Sequence, residues 1–450
     1  MSFTNQDCRK HLLSGFLALL GIAALGYLIA RTYRGGNDIN VYLYAAEQLL
    51  NGQNIYTQNP YNFYLYSPLF ALTLSPLTLL EISVARVFWM LVNLGIVMRL
   101  WYLLRPLALT LSPSNRRVWM ISVIVLSLGF LNHNFALGQV TILILWLTFE
   151  GCYQVGKGRS VLGALLIAIG INIKIIPMLV LVYFGMKGYF KAGVLTVLFF
   201  FMSLIIPAVI IGFQYNSELL SAWKNVINPA GERFAFEDND GCHSLNAVLP
   251  AYFFDFDSIE RSITPYKRNV DYPRRIVHIP YETLSVILLL SRLLVLGIFL
   301  LALLPRSWIY GSPGKLIQRF WLALKIEFAD RNRKTEFNPH VFLWEMGLLC
   351  LVTLLIFPHQ MKYSMLYFVP AGAYLIMCML PGSQIRVTSL GKLLLILAGL
   401  LMIVLAIMGR EIIGTHLVDV LDYYHFMGIA NLVCLGVMWV LRPRMRVGGE

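Results

Sequence analysis

Asp38 stands just past the end of an apolar run and is followed within six residues by Tyr42 and Tyr44. A loop that only joins two membrane spans needs neither the acid nor the aromatics. Four other polar groups sit at the ends of apolar runs in the same way. They are "NHNFALGQ" with His133, Asn134 and Gln139, Lys174 in "NIKIIP", "DGCHSLNA" with Asp240, His243, Ser244 and Asn246, and "FPHQMKYSMLYFVP" with His359, Lys362 and Tyr363. A carboxylate can take a proton, and lysine and histidine can hold an anion. Ionisable groups next to hydrocarbon are costly and usually face a cavity. Each group also has a purely structural reading. Asp38 can cap the helix that starts near "INVYLYAAEQLL", and the tyrosines can form an interfacial belt. Gln139 can bond between helices, and Lys174 can snorkel to headgroups. His243 can be an ordinary loop histidine, and His359 with Lys362 an ordinary interfacial cluster. Taken singly, the residues leave both readings open.

The elements that must position these groups are apolar helices. Of the 450 residues 58% are hydrophobic and only 13% charged, with a mean hydropathy of +0.69, whereas soluble domains carry roughly 25% charged residues. The chain is therefore read as an all-α polytopic membrane protein. The net charge of +13 does not point to nucleic acid. Arg and Lys gather between apolar runs and in "RPRMRVGGE", as the positive-inside bias produces, and no aromatic-interleaved basic stripe appears. The six cysteines show no metal-ligand spacing, and most read as small apolar residues in spans.

Apolar runs cover Leu12–Ala30, Ile82–Leu104, Val118–Leu131, Leu137–Gly151, Val161–Ile173, Ile175–Gly185, Gly193–Gly212, Thr283–Leu304, Val341–Phe357, Ser364–Leu380, Leu393–Gly409 and Phe426–Leu441. The first lacks a small-residue cleavage site and reads as an uncleaved span. Several runs fall short of the ~20 residues that cross a bilayer untilted, which a bundle lining a cavity tolerates. Counted together they predict about twelve crossings. Basic loops fix both termini in the cytoplasm and put residues 31–64, 131–136, 214–282, 358–363 and 410–425 outside. All five polar groups then share one face. "YSPLFALTLSPLTLL" (66–80) has two prolines and reads as a re-entrant or interfacial helix on the outer face. The stretch around Lys174–Pro177 reads as a tight hairpin. Residues 1–450 form one membrane domain, with an outer loop at 31–64 and a large outer loop at 214–282 that holds ten acids and seven bases. The 305–340 loop has seven bases and three acids. Its "LIQRFWLALKIEFA" reads either as a basic amphipathic helix on the anionic leaflet or as an ordinary topology-fixing loop.

The stretch "GNDINVYLYAAEQLLNGQNIYTQNPYNFYLYSPLFALTLSPL" resembles the opening signature of glycosyltransferase family 87, a family of integral-membrane GT-C enzymes. The pattern is an acid, a tyrosine four residues on, an Ala-Ala and Leu-Leu helix, Gly, Tyr, then Tyr-Pro-Pro before an apolar helix. Here Ser67 stands where the first of those prolines is usual. "LGQVTILIL", "INIKIIPMLVLVYF", "SLNAVL" and "FPHQMKYSMLYFVP" follow in the family's order and extend the resemblance over about residues 31 to 370. In "GCHSLNA", Cys242 and His243 replace the usual Asn-Gln.

The resemblance implies transfer of one sugar, mannose or a similar hexose or pentose, from a polyprenyl-phosphate donor to a lipid or glycan acceptor. The reaction is expected at the extracytoplasmic face of a bacterial plasma membrane, with inversion and without metal or other cofactor. In that reading Asp38 is the base, while His359, Lys362 and Lys174 hold the donor phosphate. Tyr42, Asn134, Gln139, Arg233, His243, Ser244, Asn246 and Tyr363 contact substrate or orient the base. Two rivals belong to other classes. A flippase or transporter would place ionisable groups at mid-membrane in broken helices. An O-antigen-type polymerase or ligase would carry an arginine-rich outer loop, and Arg261, Arg268, Arg274 and Arg275 stand there among many acids.

Overall fold

A computed structural model describes residues 19–443, except 20, 24, 36, 58, 109–110, 229–235, 257–269, 271, 305–336 and 382–386. Arg233, most of the 305–340 loop and the start of the first apolar run lie outside the described residues. Every regular element described is helical, and one isolated antiparallel bridge joins Cys242 to Met361.

Among the described residues six helices are long and apolar enough to cross a membrane. They are Ile82–Pro106, Pro113–Leu137, Phe190–Ile211, Tyr281–Leu303, Pro339–Ile356 and Ser389–Ile407. A seventh crossing exists if Thr415–Tyr423 and Phe426–Val440, bent by 60° at their junction, form one span. Among the described residues, which omit the start of the first apolar run, there are thus six or seven candidate spans against the roughly twelve expected from the sequence. The physical difference lies in helix breaks. Thr141–Gly156, Ser160–Ile173, Leu179–Lys187 and Val369–Met379 hold 16, 14, 9 and 11 residues. At about 1.5 Å per residue none of these alone reaches across ~30 Å of hydrocarbon.

The core is built around Pro339–Ile356. Its spanning window is 83% buried, against 22–33% for the five other long helices, which present most of their surface outward. Asn338 starts this helix by accepting from the N–H groups of His340 and Val341, with Pro339 in the first turn. That combination satisfies orphan donors where proline costs nothing. Around it pack Tyr281–Leu303, Val369–Met379, Phe426–Val440 and the 3-10 segment Lys362–Phe368. Two charge pairs tie apolar helices together. Arg99 donates twice to Glu150, both at 2.8 Å, and Lys187 donates to Glu345 at 2.7 Å.

The 66–80 stretch forms the short helix Pro68–Leu74 and a 3-10 turn Ser75–Leu79, too short to cross, as the expected re-entrant or interfacial element would be. Ser67 caps it by accepting from Phe70 N–H at 3.2 Å, and its hydroxyl donates to Asn172 Oδ1 at 2.5 Å. A proline in that place would lose both bonds, and the second of them ties this helix to Ser160–Ile173. The chain breaks at Lys174, which is extended, before a 3-10 turn at Ile176–Met178. Ser160–Ile173 then packs on Thr141–Gly156 and Phe190–Ile211, while Leu179–Lys187 packs on Phe190–Ile211 and Tyr281–Leu303.

Candidate active site

Asp38 lies in the first turn of helix Asn37–Leu50, and a sharp corner elsewhere in the chain sets its surroundings. Helix Pro113–Leu137 ends at Gly138, which is left-handed at φ +70. A Cβ at Gly138 would stand 2.9 Å from the Cβ of Ile39, closer than side chains approach, so only glycine lets the two helices meet. Trp89 fixes the corner by donating from Nε1 to the Gly138 carbonyl at 2.9 Å. The next residue, Gln139, donates its side-chain amide to Asp38 Oδ2. Gln139 is buried, and its Oε1 has no hydrogen-bond partner among the described residues.

Burial pushes the Asp38 carboxyl up to about 6, against the opposing pull of the Gln139 bond, Lys174 and His359. The same burial pushes the Lys174 ammonium down to about 8, with Asp38 pulling it back up. Lys174 Nζ lies 5.9 Å from the centre of the Tyr363 ring. Tyr42 is buried, and its hydroxyl sits 3.1 Å from that of Tyr66, with the rings edge-on at 5.0 Å. Burial raises the pKa of both phenols, and the negative field of Asp38 raises it further. Asp38, Gln139, Lys174, His359, Tyr42 and Tyr363 therefore share one electrostatic neighbourhood.

His359, also left-handed at φ 58, reaches that neighbourhood on a segment clipped to the large loop. Cys242 bridges Met361, and His243 N–H donates to the Gln360 carbonyl at 2.8 Å. Glu237 Oε2 accepts from His359 N–H at 2.9 Å and from Ser244 Oγ at 3.1 Å, and His359 Nδ1 lies 3.4 Å from Glu237 Oε1. Asn134 donates to the carbonyls of Tyr363 at 2.9 Å and Phe130 at 2.8 Å, and His133 stacks on the Tyr363 ring.

The remaining sequence candidates face elsewhere. Lys362 Nζ donates to the Met408 carbonyl at 2.5 Å. His243 is fully buried, with Nε2 3.8 Å from Asp422 Oδ1 and its ring 6.0 Å from His425. Asn246 accepts from Arg292 through its side chain and from Glu237 N–H through its carbonyl. Ser244 acts on His359 only through Glu237. Two residues that the sequence reading did not single out belong to the site, Tyr66 and Glu237. Tyr66 lies in the aromatic run "YNFYLYSP", and Glu237 is one of ten acids in its loop. An open depression of about 460 Å³ does not include Asp38 in its lining. It is lined by Tyr44, Asn59, Pro60, Asn62 and Phe63.

One carboxylate titrating near neutrality, a bonded amide that orients it and two neighbouring basic groups suit a reaction that takes one proton and stabilises one anion. Residues 64–324, more than half of the 450-residue chain, match the family described as Glycosyltransferase family 87. The protein is a membrane glycosyltransferase, with several apolar helices of spanning length. It belongs to glycosyltransferase family 87. The matched stretch contains Tyr66, Gln139, Lys174, Glu237 and Cys242, whereas Asp38 and His359 lie outside it. No curated protein and no solved structure gives a significant match to the chain.

Proposed function

We propose that this glycosyltransferase moves a single sugar from a polyprenyl monophosphate donor to a hydroxyl of a lipid or glycan acceptor, with Asp38 as the base. The observation that carries the reading is the Asp38 carboxylate accepting from the Gln139 amide in the field of Lys174 and His359, with burial pushing its pKa up to about 6. A base works best with its pKa near the working pH. The acceptor O–H gives its proton to Asp38 as its oxygen attacks the anomeric carbon. The bond from that carbon to the phosphate oxygen breaks, and the electron pair leaves with the polyprenyl phosphate. A phosphate monoester has a second pKa near 6, so it departs without a general acid. One carboxylate suffices where a glycosidase needs two. Single displacement inverts the anomeric centre, and no metal enters this step.

Lys174 and His359 stabilise the charge growing on the phosphate. Lys362 stands further back, held at Met408. The unpartnered Gln139 Oε1 accepts from a substrate hydroxyl while its amide holds Asp38. In the same reading the shorter helices complete a GT-C bundle of about twelve crossings. The single domain has both termini in the cytoplasm and Asp38 at the outer face of a bacterial plasma membrane.

The test is purified protein reconstituted with a labelled polyprenyl-phosphate sugar and membrane acceptors. Label appearing on an acceptor supports the proposal. Label crossing the bilayer chemically unaltered would instead make the protein a flippase.

A further inference from the structure

Beside the Asp38 cluster, three side chains of metal-binding type converge from two distant parts of the chain. Glu237 and Cys242 come from the large loop, and His359 lies beyond the Pro339–Ile356 helix. Their ligand atoms all lie within 4.8 Å of one another. Glu237 Oε1 is 3.4 Å from His359 Nδ1, and Cys242 Sγ is 4.0 Å from the same nitrogen. Atoms bound tetrahedrally to one zinc ion at about 2.0–2.3 Å stand about 3.3–3.7 Å apart. The first pair already has that spacing, and the second needs to close by only a few tenths of an ångström.

We propose that Glu237, Cys242 and His359 hold one divalent transition-metal ion of the zinc class, with water as the fourth ligand. One thiolate and one carboxylate balance the two charges of the ion, so the filled site is neutral, which lowers the cost of burying it. A thiolate, an imidazole and a carboxylate form a donor set that favours zinc over magnesium or calcium. The site is supported from outside, as metal ligands usually are. Ser244 Oγ and His359 N–H both donate to Glu237 Oε2 and turn Oε1 toward the other ligands. The Cys242–Met361 bridge and the bond from His243 N–H to Gln360 hold the two backbones in register. Cys242 is fully buried, but the His359 side chain keeps 31% exposure, which leaves an entry path and room for the water. The ion would staple the large loop onto the 359–361 segment, and binding at Nδ1 would leave Nε2 of His359 as an N–H donor. Its role is positional, separate from the displacement chemistry above.

Cobalt(II) is the probe. Titrated into the full-length protein in detergent, it is expected to bind once per chain and to show thiolate-to-cobalt charge-transfer absorption. Zinc should displace it. Cys242→Ser should abolish the absorption and Cys434→Ser should keep it. Glu237→Gln should weaken cobalt binding at least tenfold, the least that loss of a ligand's support costs. No sulfur-to-metal absorption in the unmutated protein overturns the proposal, whatever the variants do. Retention of the absorption in Cys242→Ser overturns it as well. Zinc should also raise the unfolding temperature of the unmutated protein, reversibly on chelation, and an unchanged temperature counts against a staple. Every readout is metal binding or stability, so the result is independent of sugar transfer.

Discussion

Gln139 donates its side-chain amide to the Asp38 carboxylate across 101 residues of sequence. The bond binds the start of the Asn37–Leu50 helix to the corner after Pro113–Leu137, and it selects the ionised form of an acid that burial would otherwise keep protonated.

Asp38→Asn keeps the size and the Gln139 contact of the side chain but cannot take a proton. The variant is expected to insert and elute as the unmutated protein does, with transfer from labelled donor reduced about 10²- to 10⁴-fold, the range ascribed to general-base catalysis. Comparable turnover by a well-folded variant, with donor binding confirmed, would end the assignment of the base.

The pH dependence follows from the same group. With the carboxyl at about 6, turnover should be full above neutrality and fall about tenfold per pH unit well below the midpoint. Stability carries the opposite sign. The folded chain keeps this proton up to about 6, whereas the unfolded aspartate releases it near 3.8. The folded state therefore binds more protons within that window, and the contribution of Asp38 to stability falls as pH rises through it. A rate profile flat from pH 5 to 8 would contradict the base assignment.

Gln139→Leu removes a bond that lowers the Asp38 pKa. The acid limb of the rate profile is then expected to move to higher pH. A purely packing role for Gln139 would lower the rate and leave the midpoint in place, so the midpoint distinguishes the two.

The two lysines should separate. Lys174→Met removes a cation that acts directly on Asp38 and should raise the apparent KM for donor more than for acceptor. Lys362→Met removes a side chain held at the Met408 carbonyl and should have the smaller effect on donor use. Equal effects of Lys174→Met on both substrates would argue against a phosphate contact there.

Gly138→Ala tests the corner. The left-handed backbone alone costs about 1–2 kcal/mol with a Cβ, and that Cβ would push on Ile39, next to Asp38. Melting in detergent should drop, and the surviving folded protein should transfer sugar more slowly because base and amide no longer meet.

Much of this was legible in the sequence, and the reasons for the rest are specific. Long apolar runs such as Tyr281–Leu303 became helices because they have nothing else to satisfy their backbones in hydrocarbon. Asp38, Gln139, Lys174 and His359 stood out because charged and polar groups at the ends of such runs are expensive. The number of spans did not read off, since several apolar runs counted as crossings form helices of only 9 to 16 residues. Glu237 was hidden because nothing local distinguishes it from its acidic neighbours, and its partner His359 lies 122 residues away. The cysteines were read by spacing along the chain, and Cys242 meets His359 only in space, 117 residues apart. Lys362 donates to the Met408 carbonyl and His243 lies beside Asp422 and His425, contacts between parts of the chain that spacing does not foretell.

The last turn of Pro113–Leu137 has a consequence beyond holding two contacts. Asn134 grips the carbonyl of Tyr363, and five residues later Gln139 grips Asp38. One helix end therefore sets how Asp38 stands relative to Tyr363 and the segment that carries His359. If that helix tilts in a bilayer of different thickness, the Tyr363 and Asp38 contacts are expected to move with it together.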